Sequence, residues 1–354
     1  MRLGPVVLAA GVGVAAGWVL ATRTAAPGPG PSSEIGSAAL FYFPASESPS
    51  TLGRTAGAAM QSTLLTGDAT GCTTARGLWK QAETTENFGF EYGALDWLCD
   101  YVTSAPERRA ELVGGNVDGR RVVGYFDRVG WTQLSDYLGR RYQIPPTARR
   151  EPMSEEDFGF VQELLCFGSP QRASWEQPEE IVRLLDIRPG LDVADLGAGT
   201  GYMTYRFSDA VGAEGKVYAL DIFARLLTLI QQNAAIEGRT NIQTVHNGET
   251  DLGLPADSVD LVWICNVYHQ FYGSTRESDR AAIIKSIHEA LRTGGRLVIL
   301  ENTPEGELPA GTLYHSGHAI SSSLVIQQLT AYGFRYKTRH SIIPQRYILE
   351  FEET

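Results

Sequence analysis

The chain is poor in cysteine: only four occur among 354 residues. Cys72, Cys99, Cys166 and Cys265 show no Cys-x-x-Cys spacing and are joined by no paired histidines, which argues against a zinc site and leaves no metal to expect. Cys265 falls in an expected buried strand, whereas Cys72 and Cys99 are compatible with a disulfide if the protein is exported. A basic surplus is also missing. Against 41 Asp and Glu stand 30 Lys and Arg, a net charge of −11, and neither half of the chain is basic. Binding to nucleic acid, which requires a face that neutralises phosphates, is therefore excluded. The richest basic stretch (Arg120, Arg121, Arg128, Arg140, Arg141, Arg149, Arg150) is interleaved with Asp118, Asp127 and Asp136, as on a solvated surface. No lipobox cysteine is present.

Long uncharged runs are equally scarce, with one exception. Between Arg2 and Arg23 the chain is rich in Val, Leu, Ala and Gly and carries no charge. Two readings compete for residues 1–23: a secretory signal with small residues around Ala21, or a membrane anchor of about the 20 residues needed to span a bilayer. Export or anchoring is the expectation, with membrane contact through this segment if it is not cleaved; a cytoplasmic-facing enzyme is the alternative. Residues 24–56, rich in Pro, Gly and Ser, read as a flexible linker. Residues 57–173 follow as a mainly helical domain, with helical patterns at Tyr92–Val113, Trp131–Tyr142 and Phe158–Phe167. Its many aromatics either fill its own core or form a lid over a substrate pocket.

The second half alternates strands and helices, which specifies a doubly wound, mostly parallel sheet. The pattern predicts strands at 191–196, 217–220, 242–245, 259–265 and 296–301. Helices are expected at 176–187, 203–211, 224–237, 280–292 and 323–332. A closing hairpin of strands 335–341 and 347–351 makes a seven-stranded sheet with one antiparallel strand. With 43% hydrophobic residues there is ample material for such a core.

The centre of this half is Val193-Ala-Asp-Leu-Gly-Ala-Gly-Thr-Gly-Tyr202. A strand runs into Gly197, Gly199 and Gly201, where positive φ and close ligand approach both demand glycine. A dinucleotide fingerprint would place its third glycine at position 202, where this chain has Tyr202, so no pyrophosphate cradle is implied. The next strand ends on Asp221, at the sheet edge where a ribose diol is held in doubly wound folds.

Asp195-Leu-Gly-Ala-Gly-Thr-Gly with Asp221 resembles the class I S-adenosylmethionine-dependent methyltransferases. Trp175-Glu-Gln-Pro178, Asn266-Val-Tyr-His-Gln-Phe271, Gly294-Gly-Arg-Leu-Val298 and Tyr347-Ile-Leu-Glu-Phe351 look like the ubiquinone/menaquinone C-methyltransferase branch. The resemblance covers residues 174–354 and implies S-adenosyl-L-methionine as cofactor. It implies that Asp195 positions the ammonium group and Asp221 the ribose hydroxyls. Gly197, Gly199, Gly201, Ile222, Gly248, Glu249 and Asn266 would complete the cofactor site, with Glu249 or Asp251 accepting the adenine amine. A small, lipophilic acceptor would meet the methyl group near His269, the candidate base, with His315 and His318 able to reach the same mouth. Carboxyl methylation of protein, as in the isoaspartyl-repair type, and a non-catalytic cofactor-binding module are the alternative readings.

Overall fold

The computed structural model describes residues 50–83, 89–145, 153–273, 276–310 and 318–353. The N-terminal apolar run, most of the linker and His315 lie outside the described residues. Among the described residues no helix is long and apolar enough to cross a membrane.

Seven helices come first: α1 (Thr51–Thr66), α2 (Thr70–Glu83), α3 (Gly89–Thr103), α4 (Pro106–Gly115), α5 (Val117–Val129), α6 (Thr132–Arg141) and α7 (Glu155–Cys166). Helix α1 begins inside the stretch read as linker. Ser50 caps it by accepting from the Gly53 N–H at 3.0 Å, and Gly67 ends it in the left-handed conformation. The single helix expected over 92–113 is two helices. Pro106 cannot continue α3 and instead starts α4 in its first turn. Ser154 caps α7, accepting from the Asp157 N–H at 3.0 Å.

This helical layer has its own core, built around the buried aromatics Trp79, Tyr92, Phe126, Tyr137 and Tyr142. Within it Glu91 is buried and accepts from the hydroxyls of Tyr137 (2.9 Å) and Tyr142 (3.0 Å) and from Arg141 Nε (3.1 Å). Those partners satisfy a charge that burial would otherwise make costly. A disulfide joins Cys72 on α2 to Cys99 on α3.

The remaining elements are α8 (Ala173–Glu176), α9 (Pro178–Leu184), β1 (Asp192–Leu196), α10 (Tyr202–Val211), β2 (Lys216–Asp221), α11 (Ala224–Ile236), β3 (Ile242–His246), β4 (Val259–Cys265), α12 (Tyr268–Gly273), α13 (Glu277–Ala290), β5 (Leu291–Asn302), α14 (Ser322–Ala331), β6 (Arg335–His340) and β7 (Arg346–Glu352). The seven strands lie in the order β3-β2-β1-β4-β5-β7-β6. All pairs are parallel except those of β7, which runs antiparallel to both β5 and β6. The expected fold class, a Rossmann-like sheet with an antiparallel strand in a C-terminal hairpin, is the one observed.

Alternate residues of the central strands bury to opposite faces, the period of two that a pleated strand imposes. On β4, Val262 and Ile264 join a core with Ile284, Ile287 and Leu329, while Leu261 and Trp263 join the opposite core with Met203 and Phe207. Each such side chain contributes about 1.5–3 kcal/mol on leaving water. β5 starts five residues earlier than the pattern suggests: Leu291 pairs with Val259 and Arg296 with Leu261, so residues 292–295 bulge out around Gly294, whose φ is +76°.

The helical layer and the sheet layer form one compact unit. Leu226 and Leu229 of α11 belong to the helical core. Arg121 of α5 donates to both Glu237 oxygens at 2.7 and 2.8 Å and lies 3.7 Å over the Tyr205 ring. Asp118 accepts from Arg206 of α10 at 2.7 Å.

Candidate cofactor and acceptor site

The turn after β1 is built by its glycines. Gly197, Gly199 and Gly201 all have positive φ (+76°, +55° and +84°). The N–H groups of Gly197 and Ala198 both donate to the Leu220 carbonyl, at 2.8 and 2.9 Å. Gly199 N donates to Asp221 Oδ2 at 2.8 Å, and Phe223 N to Oδ1 at 2.9 Å. Asp221 therefore clamps the turn from the end of the neighbouring strand. A side chain at Gly197 would run into Val267, and one at Gly201 into Tyr205 and Ile230. At Gly199 nothing lies within 4 Å of where a Cβ would stand. That open backbone is where a ligand can approach.

Asp195 and Asp221 are nearly fully buried, with 3% and 6% exposure. Burial pushes both carboxyls up to about 6; for Asp195 the Thr204 hydroxyl, donating at 2.6 Å, opposes this, and for Asp221 the Phe223 and Gly199 N–H groups do. Three buried polar atoms on segments that leave the sheet's strands have no partner among the described residues: Thr200 Oγ1 after β1, Asn247 Oδ1 after β3 and Asn266 Oδ1 after β4. Asn266 also holds positive φ, +54°, a conformation rare outside glycine. Unsatisfied buried acceptors and hydroxyls of this kind call for a polar ligand.

The other expected residues fall along the same sheet edge. The Ile222 carbonyl is 2.9 Å from His246 Nε2, a histidine the sequence reading had not singled out. The Gly248 N–H donates to the Asp251 carbonyl at 3.0 Å. The Asp251 carboxylate is taken by Gly253 N (2.9 Å) and Ser286 Oγ (3.0 Å), whereas Glu249 is exposed with no partner among the described residues. Of the two acids, Glu249 is the one left free.

His269 stands at the start of α12, beyond β4. Its Nδ1 lies 3.0 and 3.2 Å from the two oxygens of Glu301, and its backbone N–H donates to Glu301 Oε1 at 3.1 Å. Glu301 is completely buried and the His269 side chain is 14% exposed. An ionised carboxylate only accepts, so it fixes the proton on Nδ1 and leaves the Nε2 lone pair free. His318 stacks on His269 with ring centroids 5.4 Å apart. Sequence reasoning missed Glu301, although a carboxylate closing the apolar run Leu297–Leu300 was a signal.

The strand order, the glycine turn and the acid ending β2 define a class I S-adenosylmethionine-dependent methyltransferase domain. Residues 155–314 match the model of the ubiE/COQ5 methyltransferase family. Curated relatives include the demethylmenaquinone methyltransferase of Geobacillus stearothermophilus, 29% identical over 125 residues (35% of this chain, 51% of that protein). The ubiquinone/menaquinone biosynthesis C-methyltransferase UbiE of Shewanella frigidimarina is 32% identical over 153 residues (43% and 57%). The chain thus spans about half the length of the curated relatives it matches. Among solved structures, a SAM-dependent methyltransferase from Aquifex aeolicus aligns with a TM-score of 0.46 and 19% identity, covering 52% of this chain and 94% of that one. S-adenosyl-L-methionine is the cofactor that the family match implies. The open Gly199 backbone, the buried acids and the unpaired acceptors fit it.

Proposed function

We propose that the protein methylates a small, lipophilic, hydroxyl-bearing aromatic acceptor, such as a phenol or quinol, with His269 as the general base. The observation that carries this reading is the buried Glu301 carboxylate bonded to His269 Nδ1. Asp195, Asp221, Glu249 and the glycine turn would hold the cofactor, which when bound supplies a methyl group made electrophilic by its sulfonium. Transfer is an in-line displacement, so the protein's main contributions are alignment and exclusion of water. His269 Nε2 takes the acceptor's hydroxyl proton. With the cofactor bound, its electrophilic methyl group would be available to the electron pair released into the ring; the proton on the methylated ring carbon would then pass to the oxygen to restore the aromatic ring, and the protonated imidazole would be held beside Glu301. The acceptor class is supported by the names of the matched relatives, quinone-pathway C-methyltransferases.

The test is label transfer from methyl-labelled S-adenosylmethionine to a panel of hydroxylated aromatics that includes a demethylated naphthoquinol. Transfer by wild type that His269→Ala reduces at least a hundredfold supports the reading. A protein that binds cofactor but labels no acceptor, or labels one equally well without His269, overturns it.

We further propose that residues 1–23 direct export or anchoring. The Cys72–Cys99 disulfide, a bond that persists in oxidising compartments, supports this. Detection of the mature protein in a soluble cytosolic fraction, with residues 1–23 intact, would overturn it.

A further inference from the structure

A second imidazole stands against the proposed base and has no part in the scheme above. The ring of His318 lies on that of His269 with centroids 5.4 Å apart and an angle of 16° between the planes. His318 belongs to no helix or strand, yet the segment that carries it is pinned by the end of the sheet. Asn302, the residue after Glu301, is 7% exposed and donates from Nδ2 to the His318 carbonyl at 2.9 Å. Two residues further on, the carbonyl of buried Ile320 accepts from the Tyr347 hydroxyl at 2.8 Å. Tyr347 is the partner of Glu301 across the antiparallel pair of β5 and β7. Neighbouring positions at one end of the sheet therefore hold both histidines. Glu301 takes His269 by its side chain, while Asn302 and Tyr347 fix the backbone that brings His318 over it.

Imidazole N–H groups and lone pairs lie in the plane of their own ring. Rings stacked this nearly parallel meet through their π faces, so His318 does not address His269 by a nitrogen. Attractive aromatic pairs have centroids about 4.5–7 Å apart, which includes this one. Glu301 holds one edge of the His269 ring, at Nδ1, and that alone leaves the ring able to tilt about the held edge. His318 closes one face and removes that freedom, so Nε2 keeps a single direction. A proton acceptor needs such a fixed direction, because misplacement by about 1 Å can slow an aligned reaction by about a hundredfold.

We propose that His318 is a positioning residue for methyl transfer: its flat face holds the His269 ring against Glu301 with Nε2 turned to the acceptor. The inference rests on His269 being the base and deepens that reading. His318 acts through His269 and by its shape, not by a proton of its own. Asn302 and Tyr347 serve the same end one step further out, by fixing the segment that carries the ring.

Label transfer by the full chain from methyl-labelled S-adenosylmethionine to a demethylated naphthoquinol, with calorimetric titration of S-adenosylmethionine alongside, tests it. His318→Ala should lower kcat about tenfold, while KM for the naphthoquinol and affinity for S-adenosylmethionine change less than about twofold. His318→Phe, which keeps a flat ring and carries no titratable proton, should return kcat to within about threefold of wild type. In a His269→Ala background, His318→Ala should cost nothing further, since its effect passes through the His269 ring. A His318→Phe variant as slow as His318→Ala would show that a ring nitrogen is used. A further loss in the His269→Ala background, or a matching loss of cofactor affinity, would show general packing, and an unchanged kcat in His318→Ala would remove the role. Each of these overturns the proposal and leaves His269 as base standing. Wild type that binds S-adenosylmethionine but labels no naphthoquinol, or a His269→Ala variant as fast as wild type, overturns both.

Discussion

The two buried acids of the glycine turn give the protein a pH dependence of unusual sign. Asp195 and Asp221 each move from 3.8 to about 6 on folding, because burial outweighs the hydrogen bonds they accept. A carboxyl whose pKa is raised by folding stabilises the fold fully below its unfolded value, and that contribution disappears as pH rises through the folded value. For these acids the window runs from about pH 4 to about pH 6. Raising a carboxyl from 3.8 to about 6 corresponds to roughly 3 kcal/mol per acid, less than additive because the Asp221 charge is among the causes that raise Asp195. Asp221→Asn removes one of these contributions. Asparagine keeps one acceptor oxygen, so one of the two clamping N–H groups, from Gly199 or Phe223, loses its partner. That cost, about 1–3 kcal/mol, does not depend on pH. Urea denaturation of both proteins from pH 4.5 to 7.5 should therefore show the variant less stable at the acid end. It should gain on wild type by about 2 kcal/mol between pH 4.5 and 7.5. The same experiment with cofactor should reverse the trend for wild type, since a cationic ligand that favours the ionised acids binds more tightly above pH 6. A stability difference that is flat across the range would refute the assignment of a buried, proton-binding carboxyl to the turn.

Glu301→Gln should place an amide donor opposite His269 Nδ1, drive the proton to Nε2, and lower methyl transfer roughly 10²–10⁴-fold with cofactor affinity unchanged; kinetics on an identified acceptor check this, and a change under threefold would remove His269 as base. Gly201→Ala forces a Cβ at φ +84° to within 2.8 Å of Tyr205 and 2.9 Å of Ile230. It should cost about 2–4 kcal/mol, seen as a lowered thermal midpoint. Cys72→Ser opens a loop of 27 residues and should cost about 3.5 kcal/mol by loop entropy, a loss that reducing agent reproduces in wild type and leaves absent in the variant.

What the sequence made legible was local. The glycine turn, the acid ending β2 and the alternation of strand and helix are written within short stretches, so Gly197, Gly199, Gly201 and Asp221 were readable before any coordinates. The strand order followed from the class those stretches define. What was missed is long-range or disguised. Glu301 and His269 are 32 residues apart and meet only because β4 and β5 are neighbours in the sheet. Helix α1 was hidden by composition. Its Gly53 and Ala56 fall in the stretch read as linker, but a Cβ on Gly53 would stand 2.8 Å from the Tyr92 hydroxyl and one on Gly57, the next residue of the helix, 2.5 Å from the Tyr142 ring. Small residues there let the helix seat against two large aromatics, which a composition argument cannot distinguish from flexibility. The break between α3 and α4 was in plain view at Pro106 and was overridden by a continuous apolar pattern.

The arginines explain how such an acidic corner survives in a folded protein. Glu176 is fully buried, and burial alone would raise its carboxyl; Arg172 and Arg346 outweigh that and hold it below the ordinary range. Arg346 Nη1 lies 3.0 Å from both Glu176 oxygens, so the start of β7 is tied to the loop leaving the helical layer. Arg172 ties the same carboxylate to the Phe167 carbonyl, immediately after α7. The cluster is thus charge-balanced within itself and anchors both the hairpin and the end of α7. Removing either arginine would leave a buried charge uncompensated, a loss of several kcal/mol. Among the described residues Asp195 and Asp221 make no ion pair with an arginine and are satisfied instead by the Thr204 hydroxyl and by the Gly199 and Phe223 N–H groups.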